Sequence, residues 1–387
     1  MDLKKISLSP TYFDNATYMP MFQSVKSTLF EKMDIPFSYE RPLYAKDEEL
    51  KKEVESALLT IRAFFSLEEK DLILASSSHR QSLEFVYHLH LENVIKQTGK
   101  NQIFYLSFDR IELLEELKKL EEKGCILEEI PIDHNGQIDL EKLKNRITPR
   151  TTLISLSYAD QSTGVVQNIY ELQDLCQSLG VSLHLDLSSI MGKIYFSSQA
   201  TKVSYMTYSG HRQGGVDGLA LVMIPYQYSY RHLADRLFLK EKEYGKLLAT
   251  SVFFYECMQM TDEFFFDMPT FKETFEASIL EAIDGVKILF SNIERLQSHS
   301  IIYFPHVHAE LFLFILKEKN VFASIGQTGE NTLSHQLQKM HIPLIEAKSA
   351  LCFSFSHKTK KEGIQEGVQL IKESYEKVLK LNRKKGG

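Results

Sequence analysis

The sequence predicts an α/β protein with a mostly parallel sheet of seven-stranded type, flanked by helices and followed by a smaller α+β domain. Two observations lead to this prediction. Strand-like runs alternate with helix-like segments through the first two-thirds of the 387 residues, which is the pattern of βαβ units on a parallel sheet. From about Lys272 the pattern changes to a long helix-like segment and short strands, which indicates a second unit.

Seven strand-like runs define the sheet of the larger unit. They are residues 72–75, 102–107, 125–132, 152–158, 182–187, 203–208 and 219–224. The predicted helices between them are residues 80–95, 111–122, 139–146 and 169–179. In the smaller unit the pattern predicts helices over 271–297 and 360–381, and strands over 301–307, 311–315 and 350–354. We place the large domain at residues 15–262, and the small domain at residues 1–14 and 263–387.

Composition limits which binding partners and which cellular location we expect for this protein. A formal net charge of −6 gives no reason to expect binding to nucleic acid or to an anionic membrane. No stretch approaches the ~20 apolar residues of a membrane helix, and the charged N-terminus lacks the apolar core of a signal peptide. Four scattered cysteines without CxxC spacing fit a reducing cytoplasm and argue against a zinc site. His306 and His308 alone make a weak metal signal.

Polar residues follow several predicted strands at their carboxyl ends, where ligands bind in open α/β sheets. Residues 76–78, residues 160–164, Asp186 and residues 209–212 are expected to converge there. An acid ending one strand and a Ser-x-His-Lys segment ending a later one are typical of enzymes that bind pyridoxal phosphate (PLP). The acid pairs with the pyridinium nitrogen and the lysine forms the Schiff base. Arg212 stands at the lysine position, and its guanidinium cannot be deprotonated to attack an aldehyde.

Several short segments, spread along nearly the whole chain, form one pattern. Residues 12–17 read YFDNAT, similar to an opening YLDNAAT, and residues 163–167 read TGVVQ, similar to TGxxQPI. Residues 184–194 contain HxD followed by GKI, residues 209–211 read SGH, and residues 353–371 follow a matching C-terminal pattern. Together these segments resemble the class V aminotransferase family, in its cysteine desulfurase branch.

The resemblance implies a PLP-transferase fold, a homodimer and a cofactor site. The residues implied for the cofactor's phosphate and ring nitrogen are Ser77, Ser78, Asp186, Ser209, His211 and Thr250. Ser77 and Ser78 lie at a strand-to-helix turn, where amide donors and the helix dipole favour an anion. Thr250 matches a threonine that the family lends across its dimer interface.

The positions that perform the family's chemistry differ here. No His lies at residues 108–110, where one should stack on the ring, and Ser189 replaces a Gln that contacts the ring hydroxyl. Residues 160–162 read DQS in place of NNE. The loop over residues 322–330 holds no cysteine, although a desulfurase needs a thiolate there. Cys352 replaces the Arg that clamps the substrate carboxylate, and its strand-like setting predicts a buried thiol.

Three functions stay open at this point. The favoured one is a pseudoenzyme that acts by binding a protein or a phosphate-bearing small molecule, with no covalently bound cofactor. The alternative is an active PLP-dependent aminotransferase or desulfurase-like enzyme whose cofactor is held non-covalently or by a displaced lysine. Lys193 and Lys202 are the nearest lysines, and both are expected to be exposed. The third is a different reaction in the same cleft, with candidate groups Asp109, Asp160, Asp186, His79 and His211.

Two expectations concern assembly and Arg212. The aromatic-rich runs over residues 252–255 and 264–266 carry more apolar area than a monomer surface usually exposes, which favours a homodimer. Burying Arg212 alone would be costly, so it should find a ligand anion or a carboxylate such as Asp186 or Asp160. Phosphate or sulfate is expected at the retained serine and histidine donors.

Overall fold

The computed structural model describes residues 9–35, 45–194, 203–211, 213–226, 244–259, 262–326 and 332–385. The expectations for Arg212 and Lys202, and for part of the loop over residues 322–330, lie outside the described residues. So do the side chains of residues 264–266.

Thirteen helices and ten strands make up the described chain. The helices are α1 Gln23–Lys32, α2 Ala45–Phe65, α3 His79–His90, α4 Lys96–Thr98, α5 Ile111–Glu121, α6 Leu140–Arg146, α7 Ile169–Leu179, α8 Tyr244–Gln259, α9 Asp262–Ala282, α10 Ala309–Glu318, α11 Leu333–Lys339, α12 Leu344–Ala347 and α13 Lys361–Lys385. The strands are β1 Leu72–Ser76, β2 Gln102–Tyr105, β3 Ile126–Glu129, β4 Thr151–Ser157, β5 Ser182–Asp186, β6 Tyr205–Ser209, β7 Ala220–Ile224, β8 Lys287–Leu289, β9 His299–Tyr303 and β10 Ala350–Ser354. A π-helical turn, Leu91–Ile95, joins α3 to α4.

The large sheet has seven strands in the order β1-β7-β6-β5-β4-β2-β3. Strands β3, β2, β4, β5 and β6 pair in parallel, whereas β7 is antiparallel to both of its neighbours, β6 and β1. Strand β1 therefore points the same way as the parallel strands. Every residue of β1, β4, β6 and β7 is buried, as expected for a sheet covered by helices on both faces. The predicted fold class is confirmed.

Helix α7 illustrates how the sequence determines where a helix forms and where it ends. Its apolar residues Ile169, Leu172 and Cys176 recur at helical spacing and are buried on one face. The helix ends at Gly180, whose backbone takes the left-handed conformation (φ 63°) that favours glycine. The amide of Gly180 bonds the last helical carbonyls, so the chain turns directly into β5.

In the C-terminal third, one predicted element is wrong and another is longer than the structure shows. Residues 311–315 belong to helix α10 and form no strand. Phe312, Ile315 and Leu316 are buried at helical spacing, while Phe314 is exposed, so a helical period fits better than an alternating one. The helix predicted over residues 271–297 ends at Ala282, before a turn at Gly285 (φ 76°) that leads to β8.

A second core lies around the three-stranded antiparallel sheet β10-β9-β8. Phe275, Phe304 and Phe353 are among its fully buried side chains. Phe13, from the N-terminal segment, packs in this core against Phe275 and Phe355 at ring distances of 5.5 and 5.7 Å. The domain boundaries remain a prediction.

The aromatic residues of α8 contribute mainly to the core of their own chain. Phe253 and Phe254 are fully buried, and Phe254 packs against Tyr208 at 4.8 Å. Tyr255 is exposed. The homodimer remains a prediction. Within the described ranges, none of the helices is long and apolar enough to cross a bilayer.

Candidate functional site

The carboxyl edge of the large sheet gathers polar side chains from several strands. Strand β1 ends at Ser76, β5 at Asp186 and β6 at Ser209. Because these three strands point the same way, their ends lie on one edge of the sheet. Asp109 and Arg110 follow β2, which is parallel to them, and reach the same edge. The sequence predicted this convergence for the ends of β1, β4, β5 and β6, but it gave Arg110 no role.

Two basic side chains of the chain itself face Asp186. The Nε2 atom of His79 lies 3.1 Å from Asp186 Oδ2, and Nη1 of Arg110 lies 3.5 Å from the same oxygen. His79 is 7% exposed and Asp186 is 1% exposed. Arg80, the neighbour of His79, instead lies on the surface and pairs with Glu115. Of the two, His79 alone therefore adds basic character deep in the site.

Asp186, Arg110 and His79 interact through their charges and not through well-aligned hydrogen bonds. The atoms Asp186 Oδ2, Arg110 Nη1 and both ring nitrogens of His79 are buried and make no well-aligned hydrogen bond within the described residues. Burial raises the pKa of Asp186, but the His79 ring, followed by Arg110, lowers it well below its usual range. Asp186 is therefore ionised at neutral pH.

The second oxygen of Asp186 is held by neighbouring backbone and hydroxyl groups. Ser188 donates to Oδ1 from its backbone N–H at 3.0 Å and from its hydroxyl at 2.6 Å. The same hydroxyl oxygen accepts from the Ser209 backbone N–H at 2.9 Å, which ties the ends of β5 and β6 together. The carboxylate is thus fixed in position before any ligand binds.

A buried hydrogen-bond chain supports the acid from the sheet side. The hydroxyls of Tyr87 and Ser155 lie 2.7 Å apart, Ser155 lies 2.8 Å from His184 Nδ1, and His184 Nε2 lies 3.0 Å from the Thr207 hydroxyl. Thr207 donates to Asp186 Oδ1 at 3.5 Å. Burial lowers the pKa of His184 to about 3, so its ring is neutral and links the two hydroxyls.

The serine turn before α3 is occupied by the chain's own side chains. Ser78 is the N-cap, and its hydroxyl accepts from the Gln81 backbone N–H at 3.2 Å. The Gln81 side-chain oxygen in turn accepts from the Ser77 backbone N–H at 3.0 Å and from the Ser77 hydroxyl at 2.8 Å. These donors, which an anion would use, are therefore satisfied by Gln81.

The remaining predicted cofactor residues are Ser209 and His211, at and just after the end of β6, and Thr250 in α8. The Ser209 hydroxyl accepts a long 3.4 Å bond from the His211 backbone N–H. The His211 side chain is 42% exposed and lies 3.0 Å from Asp217. Thr250 lies in α8 and is buried within its own chain. The structure thus brings Ser209 beside Asp186, whereas His211 is paired at the surface.

Two other buried carboxyls at this edge, those of Asp109 and Asp160, accept hydrogen bonds from nearby residues. Asp109 accepts from the backbone N–H groups of Ser157 and Arg110, both at 2.7 Å, and burial raises its pKa to about 7. Asp160 accepts from the Thr163 backbone N–H at 2.6 Å and from its hydroxyl at 2.7 Å. Burial also raises the pKa of Asp160. Neither has the paired arrangement of an acid–base couple.

The predicted exposure of Lys193 is wrong. The sequence predicted an exposed lysine, but the side chain lies in the turn after β5 and is 5% exposed. Its Nζ donates to Gln213 Oε1 at 2.5 Å, and burial lowers its pKa to about 7. The burial of Lys193 could have been predicted from its apolar neighbours in the sequence, Ile190, Met191 and Ile194.

The sequence and the fold are similar to those of known proteins. The family model "Aminotransferase class-V" matches residues 11–232. A cysteine desulfurase IscS from Neisseria meningitidis is 25% identical over 396 residues, covering 97% of this chain and 94% of that protein. A cysteine desulfurase from Sinorhizobium fredii is 23% identical over 261 residues, covering 64% of this chain and 67% of that protein. A solved structure titled "NifS-like protein" has a TM-score of 0.81 at 17% identity, covering 94% of this chain and 98% of that one. Another, a NifS-like protein from Rickettsia africae, has a TM-score of 0.77 at 20% identity, covering 95% and 99%.

The fold and the acid at the end of β5 define a protein of the PLP-transferase architecture. The chain belongs to the class V aminotransferase family, in its cysteine desulfurase-like branch. The predicted family resemblance is confirmed.

Proposed function

We propose that this protein is a pseudoenzyme of the cysteine desulfurase-like branch, which binds a ligand in its cleft and performs no PLP chemistry. The observation that carries the proposal is the contact of Asp186 with His79 and Arg110, at 3.1 and 3.5 Å. In the family that this chain resembles, the equivalent acid pairs with the cofactor's ring nitrogen. Here the same carboxylate oxygen faces two basic groups of its own chain.

Features of the described residues at both ends of the expected cofactor position support this proposal. At the ring end, a pyridinium nitrogen at Asp186 would bring a third basic group to a carboxylate that already faces His79 and Arg110. At the phosphate end, Gln81 holds the amide and hydroxyl of Ser77. Arg212, read from the sequence, offers no amine for a Schiff base.

The thiols of the chain also favour a protein without desulfurase activity. All four cysteines lie in the described residues and are buried with free thiols: Cys125, Cys176, Cys257 and Cys352. Burial raises the pKa of each thiol, that of Cys176 to about 12. A thiol in this state supplies too little thiolate at neutral pH to take sulfur from a substrate.

One observation favours the alternative, an active PLP-dependent enzyme with a displaced lysine. Lys193 is buried at the carboxyl edge, and its pKa of about 7 leaves a large share of the amine neutral. Its hydrogen bond to Gln213 holds the amine away from solvent. A covalent adduct between PLP and Lys193 is therefore the outcome that separates the two functions.

The test is a PLP titration of the purified protein, followed by absorption before and after borohydride and by peptide mapping. We expect no visible band that survives gel filtration, no covalent label, and no sulfide from cysteine above a PLP-only control. The variant Lys193→Met is the matched control for adventitious labelling. Label at Lys193 that is absent from the variant, or enzyme-dependent sulfide, would refute the pseudoenzyme.

The proposal includes a cytoplasmic homodimer. Four free thiols fit a reducing compartment. A net charge of −6 gives no support for a nucleic-acid partner. Light scattering at micromolar protein tests the assembly, and a monomer mass would contradict it.

A further inference from the structure

A cavity lies between the N-terminal segment and the start of α13. Its volume of about 410 Å³ falls within the range of about 300–1,000 Å³ that is usual for small-molecule pockets. Residues between 9 and 20 form one wall, and residues between 356 and 360 form the other. None of the lining residues belongs to the cluster around Asp186, so this cavity is additional to the cleft described above.

Close packing holds both walls in place. A Cβ atom at Gly363, in the first turn of α13, would lie 2.2 Å from the Pro10 carbonyl oxygen, so glycine is needed for the N-terminal segment to approach the helix this closely. In the other wall, His357 stacks on Phe22 with ring centroids 4.3 Å apart. The shape of the cavity is therefore part of the fold and does not depend on a ligand.

The cavity is lined by positive charge and by no carboxylate of the described residues. Lys358 and Lys360 line it, and neither forms an ion pair within the part of the chain that the structure describes. The first backbone bond of α13 runs from the Ile364 N–H to the Lys360 carbonyl, so the N–H groups of residues 361–363 have no acceptor within the helix. Glu362, the acidic residue of this turn, does not line the cavity. An anion is therefore favoured at this end of the helix.

Two hydroxyls in the wall keep an unused hydrogen-bond donor. Ser356 Oγ accepts from the Lys358 backbone N–H at 3.3 Å, and Thr359 Oγ1 accepts from the Ser356 backbone N–H at 2.9 Å. Neither hydroxyl hydrogen has an acceptor among the described residues, so both can donate to a ligand. Ammonium, amide and hydroxyl donors without a carboxylate match a phosphate group, which is doubly charged near neutral pH and has three acceptor oxygens.

Asn15 brings an unused acceptor to the same cavity. Its side chain is 3% exposed, and its Nδ2 donates to the Ser354 carbonyl at 2.7 Å and to the Tyr12 carbonyl at 3.2 Å. The Oδ1 atom is buried and accepts no hydrogen bond from the described residues. A buried amide oxygen without a donor is costly, so a ligand that fills the cavity should carry a hydroxyl as well as its phosphate.

We propose that this cavity binds a phosphate monoester of a small polyol. The phosphate lies at Lys358, Lys360 and the first turn of α13, and a hydroxyl of the ligand donates to Asn15 Oδ1. The site requires no cofactor and no reaction at Asp186, so it goes beyond the proposed function.

The test measures binding of glycerol 3-phosphate to the full-length protein by isothermal titration calorimetry at pH 7.5, with inorganic phosphate and glycerol as comparison ligands. We expect glycerol 3-phosphate to bind. Inorganic phosphate and glycerol should give no detectable heat at the same concentrations, because each satisfies only one half of the site.

Variants then assign the binding to this cavity. Lys358 and Lys360 are exposed, so Lys358→Met and Lys360→Met should fold. Each should weaken binding of glycerol 3-phosphate by about threefold, and the double variant by about tenfold, as is usual for exposed charge pairs. Lys348→Met is the matched control, because Lys348 is also exposed but does not line the cavity, and its affinity should be unchanged.

Four results would overturn the proposal: no binding of glycerol 3-phosphate, unchanged affinity in the double variant, an equal loss in Lys348→Met, or inorganic phosphate that binds as tightly as the ester. A borohydride-stable PLP adduct would refute the pseudoenzyme without altering these titrations, so the two failures are distinguishable.

Discussion

Replacing Asp186 by asparagine should destabilise this protein, whereas the same change should be neutral or stabilising in a PLP-free relative whose acid faces an empty cofactor site. The substitution keeps the side-chain shape and removes one negative charge. In a site that binds a cofactor through this carboxylate, the buried charge lowers the stability of the folded protein when the cofactor is absent. Here it faces His79 and Arg110, so its loss leaves His79 without its carboxylate and Arg110 with Glu112 alone, at 4.0 Å.

The magnitude follows from the distances. Unit charges 3.5 Å apart, the separation of Arg110 Nη1 and Asp186 Oδ2, attract by about 5 kcal/mol at an effective dielectric constant of about 20. The burial cost of the carboxylate offsets part of this attraction. Loss of one partner from a buried pair typically costs about 3–5 kcal/mol, and we expect Asp186→Asn to fall in that range.

The assay is urea denaturation at pH 7, with Asp217→Asn as the matched control, because Asp217 pairs with the half-exposed His211 at the surface. The control should leave the midpoint unchanged. The folded-state pKa of Asp186 is lowered, so its stabilisation is present above the unfolded pKa of about 4 and is lost as pH falls towards the folded value. A loss below about 1 kcal/mol, or a gain, would refute the ion-pair cluster.

Three further predictions concern other parts of the cleft and the assembly. Gln81→Ala should free the Ser77 amide, so phosphate should raise the melting temperature of the variant and leave that of the intact protein unchanged. Equal responses would show that Gln81 does not occupy the anion-binding donors of the serine turn before α3. Because the folded pKa of Lys193 is about 7, below its unfolded value, the stability of the intact protein should rise with pH from about 7 to 10, and Lys193→Met should lose that rise in pH-dependent denaturation. A rise that persists in the variant would assign the dependence to another group. Light scattering should return a dimer mass, and a monomer would contradict the assembly.

The fold could be predicted because the pattern of βαβ units is local. Each buried strand is a short apolar run, and each helix carries its apolar residues at helical spacing, as in α7. The prediction failed at residues 311–315, where a run rich in apolar residues fits a strand by composition. The surrounding α10 buries only the residues at helical spacing, such as Phe312, Ile315 and Leu316.

The candidate site could be predicted only in part. The place of Asp186 followed from its position at the end of a strand, and so did that of Ser209. Its contacts with His79 and Arg110 depend on how α3 and α5 begin beside the sheet, which brings together residues distant in sequence. Lys193 was misjudged for a similar reason, since its burial depends on the segment after β6 that carries Gln213.

The most direct test of the central claim compares PLP binding across three variants by absorption titration, with circular dichroism to confirm folding. Arg212→Lys restores the amine, His79→Ala/Arg110→Ala frees Asp186, and the triple variant does both. If the basic side chains at Asp186 exclude the cofactor, only the triple variant should develop a visible band that borohydride abolishes while covalent label is retained. A full band in Arg212→Lys alone would show that Asp186 was already available, and would contradict the account.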